Sequence, residues 1–281
     1  MRPRSKTLRF SRPPRILQIL LAISLVVALA APMNFVLITP GEPTSLFPKV
    51  LTIKDPDKTL AHPVNGQLYL LTIYITNPET KVLGASVLGC WIWGDCVVNP
   101  RSIWYEKFSS DKAERAVGTK AMQKSQSLAL TAAKKVIATY FPEIDLSKVS
   151  DKSVRVSLEN TGGPSGGLIF TLGLIDLLTP KDILAGRKIA GTGTISADGK
   201  IGAIGGVTEK ILGAKKAGAS VIFVSTENCL DLPDTVEGIK VVAVETIGDA
   251  LEYLLEAPNT ANKSQKAFNS AGIQGCDNVG A

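Results

Sequence analysis

Beyond residue 150 the chain alternates strand-like and helix-like segments, and this alternation limits the folds open to it more than any other feature. Val154, Val156 and Leu158 fall on one side of residues 153–158, the period-2 pattern of a half-buried strand. A loop over 159–164 holds two glycines and a proline. Leu168, Ile169, Leu172, Ile175 and Leu178 then recur at helical spacing, which predicts a helix from about Ser165 to Leu178. Pro164 suits a pre-helix position, and Thr179-Pro180 ends the helix, with Thr179 placed to cap the short turn beyond. Residues 187–195 read as a strand that ends in a hairpin turn at Asp198-Gly199. A helix over 207–217 stops at Gly218. Strands over 220–224 and 240–244 and a helix over 247–255 complete the pattern. The expected class is α+β, a mixed sheet with helices packed on it.

Two residues in this region carry chemistry. Ser165 lies in Gly162-Gly163-Pro164-Ser165-Gly166-Gly167, where a helical pattern begins, and Lys210 lies one turn into the helix that opens after Gly205-Gly206. A serine hydroxyl is a weak nucleophile at neutral pH and needs a base within hydrogen-bond reach. Lysine is such a base only when neutral, and burial lowers its pKa by disfavouring the ammonium. Ile204, Val207, Ile211 and Leu212 surround Lys210 in sequence, and the positive end of its helix disfavours a cation further. Lys215 and Lys216 read as surface lysines. The glycines supply free N–H groups at a helix entry, suited to a developing oxyanion, and the missing Cβ atoms admit a substrate backbone. The N–H groups of Gly163, Ser165 and Gly166 are the candidate donors; Pro164 has none.

Upstream, Thr39-Pro40-Gly41-Glu42-Pro43 reads as a rigid linker. Strands are expected over 50–53 and 66–76, with a shorter one over 81–88. A polar stretch over 101–114 precedes a helix over 122–140, in which Leu128, Ala132, Val136 and Tyr140 share a face and which Pro142 stops.

The N-terminus has its own character. Arg2, Arg4, Lys6, Arg9, Arg12 and Arg15 occur with no acidic residue among them. Without these six, 25 basic and 25 acidic residues remain, so the net charge of +6 gives no reason to expect a nucleic-acid surface. An apolar segment over 16–38 follows, about long enough to cross a ~30 Å hydrocarbon core. The positive-inside rule then puts residues 1–15 in the cytoplasm and the body of the chain outside, at the cell membrane. A cleaved signal peptide ending at Ala28-Leu29-Ala30 is the rival reading. A retained anchor is preferred because the apolar run continues past Pro32, and both readings export the body.

Four cysteines suit an exported domain. Cys90 and Cys96 flank a short loop that a disulfide would close, and Cys229–Cys276 is a second option. Four cysteines allow three pairings, and sequence does not choose among them. No cysteine–histidine cluster suggests a metal, and no cofactor is expected. The single histidine, His62, lies in a polar loop with nothing nearby to make a catalytic triad.

Taken together, Gly163-Pro164-Ser165-Gly166-Gly167, Ala190-Gly191-Thr192-Gly193 and Ile204-Gly205-Gly206-Val207-Thr208-Glu209-Lys210 resemble the proteolytic domain of Lon proteases, the S16 peptidases. The likeness is closest to their membrane-anchored bacterial members and strongest over about 150–256. It implies the ribosomal-protein-S5-domain-2-like α+β fold with an N-terminal transmembrane helix. It also implies Ser165 as nucleophile, Lys210 as general base and Thr192 as the threonine whose hydroxyl helps to hold the lysine. Protein or peptide substrates, hydrolysis by a Ser-Lys dyad and assembly into a homo-oligomeric ring follow from the same likeness. Gly166 stands where the family usually has alanine, and Gly162 where many members carry an acid. The stretch 141–160 leaves no room for the PDZ domain that membrane-anchored relatives usually carry. A P-loop is absent, so the sequence holds no ATPase of its own.

The resulting division is a basic arm (1–15), a transmembrane anchor (16–38), a β-rich part with a helix (39–149), the proteolytic core (150–256) and a flexible tail (257–281). Two other readings remain. An inactive scaffold of this fold would bind partners without cleaving them. A small-molecule kinase would use Gly162–Gly167 to cradle phosphate, although no carboxylate close by would hold magnesium.

Overall fold

The computed structural model describes residues 13–54, 60–94, 96–106, 109–158, 161–233, 235–256 and 273–276. Helix α1 (Arg15–Ala30) ends where Ala31 becomes extended and Pro32, which has no N–H, cannot continue the ladder. The apolar run over 16–38, expected from sequence to form one transmembrane anchor, is therefore not a single helix. Strands β1 (Pro32–Met33) and β2 (Phe35–Pro40) follow, and Val36 and Ile38 are buried in the domain. With 16 residues α1 is about 24 Å long at the usual helical rise. Among the described residues no helix is long and apolar enough to cross a membrane. The expected basic arm lies outside the described residues as far as Arg12.

Next come β3 (Thr44–Ser45), β4 (Leu51–Ile53), β5 (Gln67–Leu70) and β6 (Ile73–Ile75). The expected strand over 66–76 is thus two strands. β5 joins the main sheet, whereas β6 pairs with β2 in a separate sheet completed by β8 (Val97–Pro100). The expected strand over 81–88 survives only as β7 (Val82–Leu83), and the chain then turns into helix α2 (Gly84–Trp93). After the short helix α3 (Arg101–Trp104), helix α4 (Asp111–Tyr140) begins well before Met122. The Ser110 hydroxyl caps it by accepting from the Ala113 N–H at 3.3 Å, and Asp111 and Glu114 sit in its first turn, where the helix dipole favours them.

The second half follows the sequence pattern closely, except that the expected strand over 187–195 is two strands in different sheets, because Thr192 and Gly193 turn aside to bond Phe223 and Ser165. β9 (Val154–Val156) pairs with β4, and α5 (Gly167–Leu178) starts two residues after Ser165. β10 (Lys188–Gly191) leads to the hairpin of β11 (Thr194–Ile195) and β12 (Ile201–Gly202). Then come α6 (Val207–Lys216), β13 (Val221–Ser225), β14 (Lys240–Val244) and α7 (Ile247–Glu256). The Thr179 hydroxyl bonds back to the Ile175 carbonyl at 2.8 Å instead of capping the next turn.

The main sheet has the order β14-β13-β10-β5-β3, parallel except for the antiparallel edge strand β3. Of its parallel strands, β10, β13 and β14 are buried on both faces, the usual condition of such strands, whereas β5 is fully buried only at Leu68 and Leu70. Ile189, Val221, Phe223, Val242 and Val244 point into the larger core with residues of α4, α5 and α7. Their alternates Ala190, Ile222, Val224, Val241 and Ala243 pack with Val207, Ile211 and Ala214 of α6. The fold is mixed α/β, with three helices on one face of the sheet and α6 on the other. Every residue of α5 is buried, and each large apolar side chain there contributes about 1.5–3 kcal/mol. The serine loop is thus joined to the most deeply buried helix.

Both suggested disulfides form, Cys90–Cys96 and Cys229–Cys276. The second corrects the expectation of a flexible tail. Gln274 bridges to Val242 beside β14, and Ile273 and Cys276 are buried. The rest of the tail lies outside the described residues.

Candidate active site

Ser165 and Lys210 line the same cleft, of about 470 Å³. One wall is the serine loop from Thr161 to Ser165. Another is the run from Leu70 to Ile75, which passes from β5 into β6. Trp104, Met122 and Gly205 close the remaining sides, and Glu42 stands among the lining residues.

The serine loop is held at successive peptides. The Gly163 N–H donates to the Gly118 carbonyl of α4 at 2.8 Å. The Ser125 hydroxyl, also on α4, donates to the Pro164 carbonyl at 3.0 Å. The Ser165 carbonyl accepts from the Gly193 N–H at 2.9 Å and the Thr192 hydroxyl at 3.3 Å. Thr192, which is fully buried, is itself anchored when its N–H donates to the Phe223 carbonyl of β13. The end of β10 therefore fixes the serine main chain, and the hydroxyl of Thr192 goes to Ser165.

These bonds sort the candidate oxyanion donors. Gly163 is engaged with Gly118 and is not free to donate elsewhere in this conformation. No backbone acceptor among the described residues engages the N–H groups of Ser165 and Gly166, which precede α5 directly. Gly166 also has a steric reason to lack a side chain. A Cβ there would lie 2.7 Å from the Phe170 ring and 2.8 Å from a Leu70 methyl.

Lys210 sits in the first turn of α6 and is only 3 % exposed. The turn before it needs Gly206, whose φ of 69° is left-handed. Burial lowers the Lys210 pKa from 10.5 to about 8, against a smaller upward pull from the neighbouring Glu209 carboxylate. Among the described residues no hydrogen bond or ion pair holds its Nζ. Val207 and Ile211 are buried beside it as expected, whereas Leu212 is exposed. Lys216 is a surface lysine, as its position in sequence predicts, and pairs with Glu42 at 2.5 Å. His62 lies elsewhere, its N–H bonded to the Leu177 carbonyl at the far end of α5.

Some supporting residues escaped the sequence reading. Ser125 falls on the buried face of α4 with Met122 and Ala129, and a hydroxyl on an apolar stripe was the signal available. Asn228 is fully buried in a 3-10 turn, Thr226–Asp231. Its side chain accepts from the Ile204 N–H at 3.0 Å and donates to the Ile204 carbonyl at 2.9 Å. It thereby fixes the approach to α6, and the adjacent Cys229–Cys276 bridge fixes the turn that carries it. Nothing in the local pattern marks Trp104, and Asn228-Cys229 resembles the membrane-anchored family members without revealing what Asn228 holds. No group of residues that could hold a metal is present among the described residues.

This arrangement offers a hydroxyl, a buried amine that is partly neutral near pH 8, and free N–H groups at a helix entry, all bordering one cleft. A family model described as the Lon protease (S16) C-terminal proteolytic domain matches residues 117–257. The chain is 32% identical to the Lon protease of Xanthomonas oryzae over 151 residues, 52% of this chain and 18% of that protein. It is 38% identical over 117 residues to the Lon protease of Koribacter versatilis, 40% of this chain and 14% of that one. With the Lon protease of Haemophilus influenzae it shares 39% identity over 100 residues, covering 34% and 12%. The chain thus spans less than a fifth of the length of these curated relatives.

Proposed function

The chain belongs to the Lon protease (S16) C-terminal proteolytic domain family, and from that membership we propose that it is a serine peptidase working through Ser165 and Lys210. The observation that carries the residue assignment is that a lysine 3 % exposed borders the same cleft as the serine. Burying an amine without a partner costs stability, and an inactive scaffold gains nothing from that cost.

In the first step neutral Lys210 takes the Ser165 proton as the Oγ attacks the substrate carbonyl carbon. The N–H groups of Ser165 and Gly166, at the positive end of α5, receive the charge on the carbonyl oxygen. Lys210 returns the proton to the departing amine, which leaves an acyl-enzyme on Ser165. Water then attacks the ester, giving its proton to Lys210, and the Oγ regains a proton as the acid is released. Gly118, Ser125, Thr192 and Gly193 do no chemistry in this scheme; they keep the Ser165 main chain in place.

The substrates in this reading are segments of exported or membrane-associated proteins. Two disulfides support an oxidising compartment for the domain. Helix α1, uncharged after Arg15, apolar except at Gln18 and Ser24, and following a run of basic residues, attaches the chain to the membrane. Ring assembly is read by sedimentation in detergent, where a single higher oligomer supports it and a monomer excludes it.

The catalytic assignment is tested with Ser165→Ala, cleavage of an unfolded protein and labelling by a serine-directed phosphonate. Both signals should vanish while the circular dichroism spectrum stays unchanged. Cleavage that persists in this variant removes Ser165 as the nucleophile.

A further inference from the structure

The surface made by α1 and α2 takes no part in the chemistry above. β1 pairs antiparallel with β7, Pro32 opposite Leu83 and Met33 opposite Val82, so the end of α1 and the start of α2 leave the domain side by side. The two backbones touch there. The Gly84 N–H donates to the Ala31 carbonyl at 3.1 Å, and a Cβ on Gly84 would lie 2.1 Å from the Ala28 carbonyl oxygen.

From this point α2 projects for about 15 Å and ends in Trp91, Ile92 and Trp93, which are 80, 64 and 77 % exposed. Gly94 then reverses the chain, and the Cys90–Cys96 bridge ties the returning strand β8 to the helix. No residue of α2 is charged, and none is charged between Ile16 and Asn34. α1 buries none of its residues.

A helix that is apolar on all sides is stable only when something apolar covers it. A protein groove covers one stripe of a helix, whereas hydrocarbon covers the whole circumference. Tryptophan favours the membrane–water boundary, where its ring is in hydrocarbon and its N–H is wet. The six basic residues up to Arg15, with no acid among them, complement an anionic lipid surface.

We infer that α2 is a second membrane-contacting element, its Trp91-Ile92-Trp93 end inserted beside α1 into a bilayer that contains anionic lipid. This rests on the reading of α1 as a membrane attachment. β8 runs from the Cys90–Cys96 loop directly into α3, and Trp104 of α3 lines the cleft. An α2 fixed in lipid therefore holds one wall of the cleft at a set height above the membrane, where segments of membrane-associated proteins emerge.

The test uses the full chain with vesicles of phosphatidylcholine and phosphatidylglycerol whose acyl chains carry bromine, a contact quencher of tryptophan emission. Flotation of the protein with the vesicles reads attachment through α1, and quenching reads α2. The chain has three tryptophans, so Trp91→Phe with Trp93→Phe leaves only Trp104 to emit. Expected are flotation of both proteins, a several-fold loss of emission in the wild type, and little loss in the double variant. Protein that floats without being quenched overturns the inference and leaves the α1 attachment standing, whether water, a second copy or another protein covers α2. Equal fractional quenching in the double variant also overturns it. Protein that stays behind when the vesicles float overturns the α1 reading and this inference with it.

Discussion

Titrating Lys210 should switch the peptidase on, since only the neutral amine can accept the serine proton. Burial brings its pKa from 10.5 down to about 8. At about pH 7.5 roughly a quarter of the molecules then hold a neutral lysine, against roughly one in a thousand for an unperturbed side chain. The assay is kcat/KM on a fluorogenic peptide from about pH 6 to about pH 10, with Ser165→Ala as the blank. Its logarithm should rise by about one per pH unit below the midpoint and level off above about pH 8. The Glu209 carboxylate holds the value up, so Glu209→Gln should move the midpoint downward. The same shift acts on stability. The folded lysine binds its proton less tightly than the unfolded one, so stability is lowered at neutral pH and recovers as pH rises from about 8 toward 10.5. The penalty is on the order of 3 kcal/mol, and Lys210→Met should raise the melting temperature at pH 7 while abolishing cleavage. A flat profile, a midpoint near that of free lysine, or an upward shift in Glu209→Gln would refute the reasoning.

Asp176, in the core along α5, has one carboxyl oxygen without a partner among the described residues, and burial pushes its pKa up to about 7. The folded carboxyl holds its proton more tightly than the unfolded one, so stability should fall as pH rises from about 4 to 7 and stay level above. Asp176→Asn should remove that slope and gain up to about 4 kcal/mol at pH 8 in urea unfolding; an unchanged slope would show that another group causes it. Ser125→Ala deletes the bond to the Pro164 carbonyl and should cost about 1 kcal/mol in stability. It should also lower kcat more than it raises KM, because the loop positions the nucleophile, and a change in KM alone would contradict that role. Replacing Cys229 and Cys276 together by serine opens a 47-residue loop and should cost about 4 kcal/mol. Activity should fall as well, since Asn228 loses its support, and full activity in this variant would separate the bridge from the site.

Much of the site could be read without coordinates because it is local in sequence. The Gly162–Gly167 loop and the turn at Gly205-Gly206 are defined by backbone demands that glycine and proline state directly. The second half of the fold was equally legible, since parallel strands buried on both faces and the helices between them leave strong periodic patterns. The first half was harder. Residues 66–76 look like one strand but serve two sheets, and Leu71-Thr72 between them lie on the wall of the cleft. The stretch 81–88 suits a strand by composition, yet Gly84 packs against the end of α1 and the chain coils into α2. In both cases a distant partner overrode the local preference.

The linear chain by itself determined the order of strands and helices beyond residue 150, the serine and lysine at two helix entries, and the apolar character of the N-terminal helix. Those properties depend on side-chain periodicity and on what each residue's backbone permits. Only the tertiary structure decided which carbonyl each supporting group meets, that Thr192 bonds to the Ser165 main chain, and that the Gly163 N–H is already engaged. It also decided that Asn228 fixes the turn before Lys210, and that Trp91 and Trp93 stand bare beside α1. Hydrogen bonds and burial depend on distance in space, and segments remote along the chain supply both.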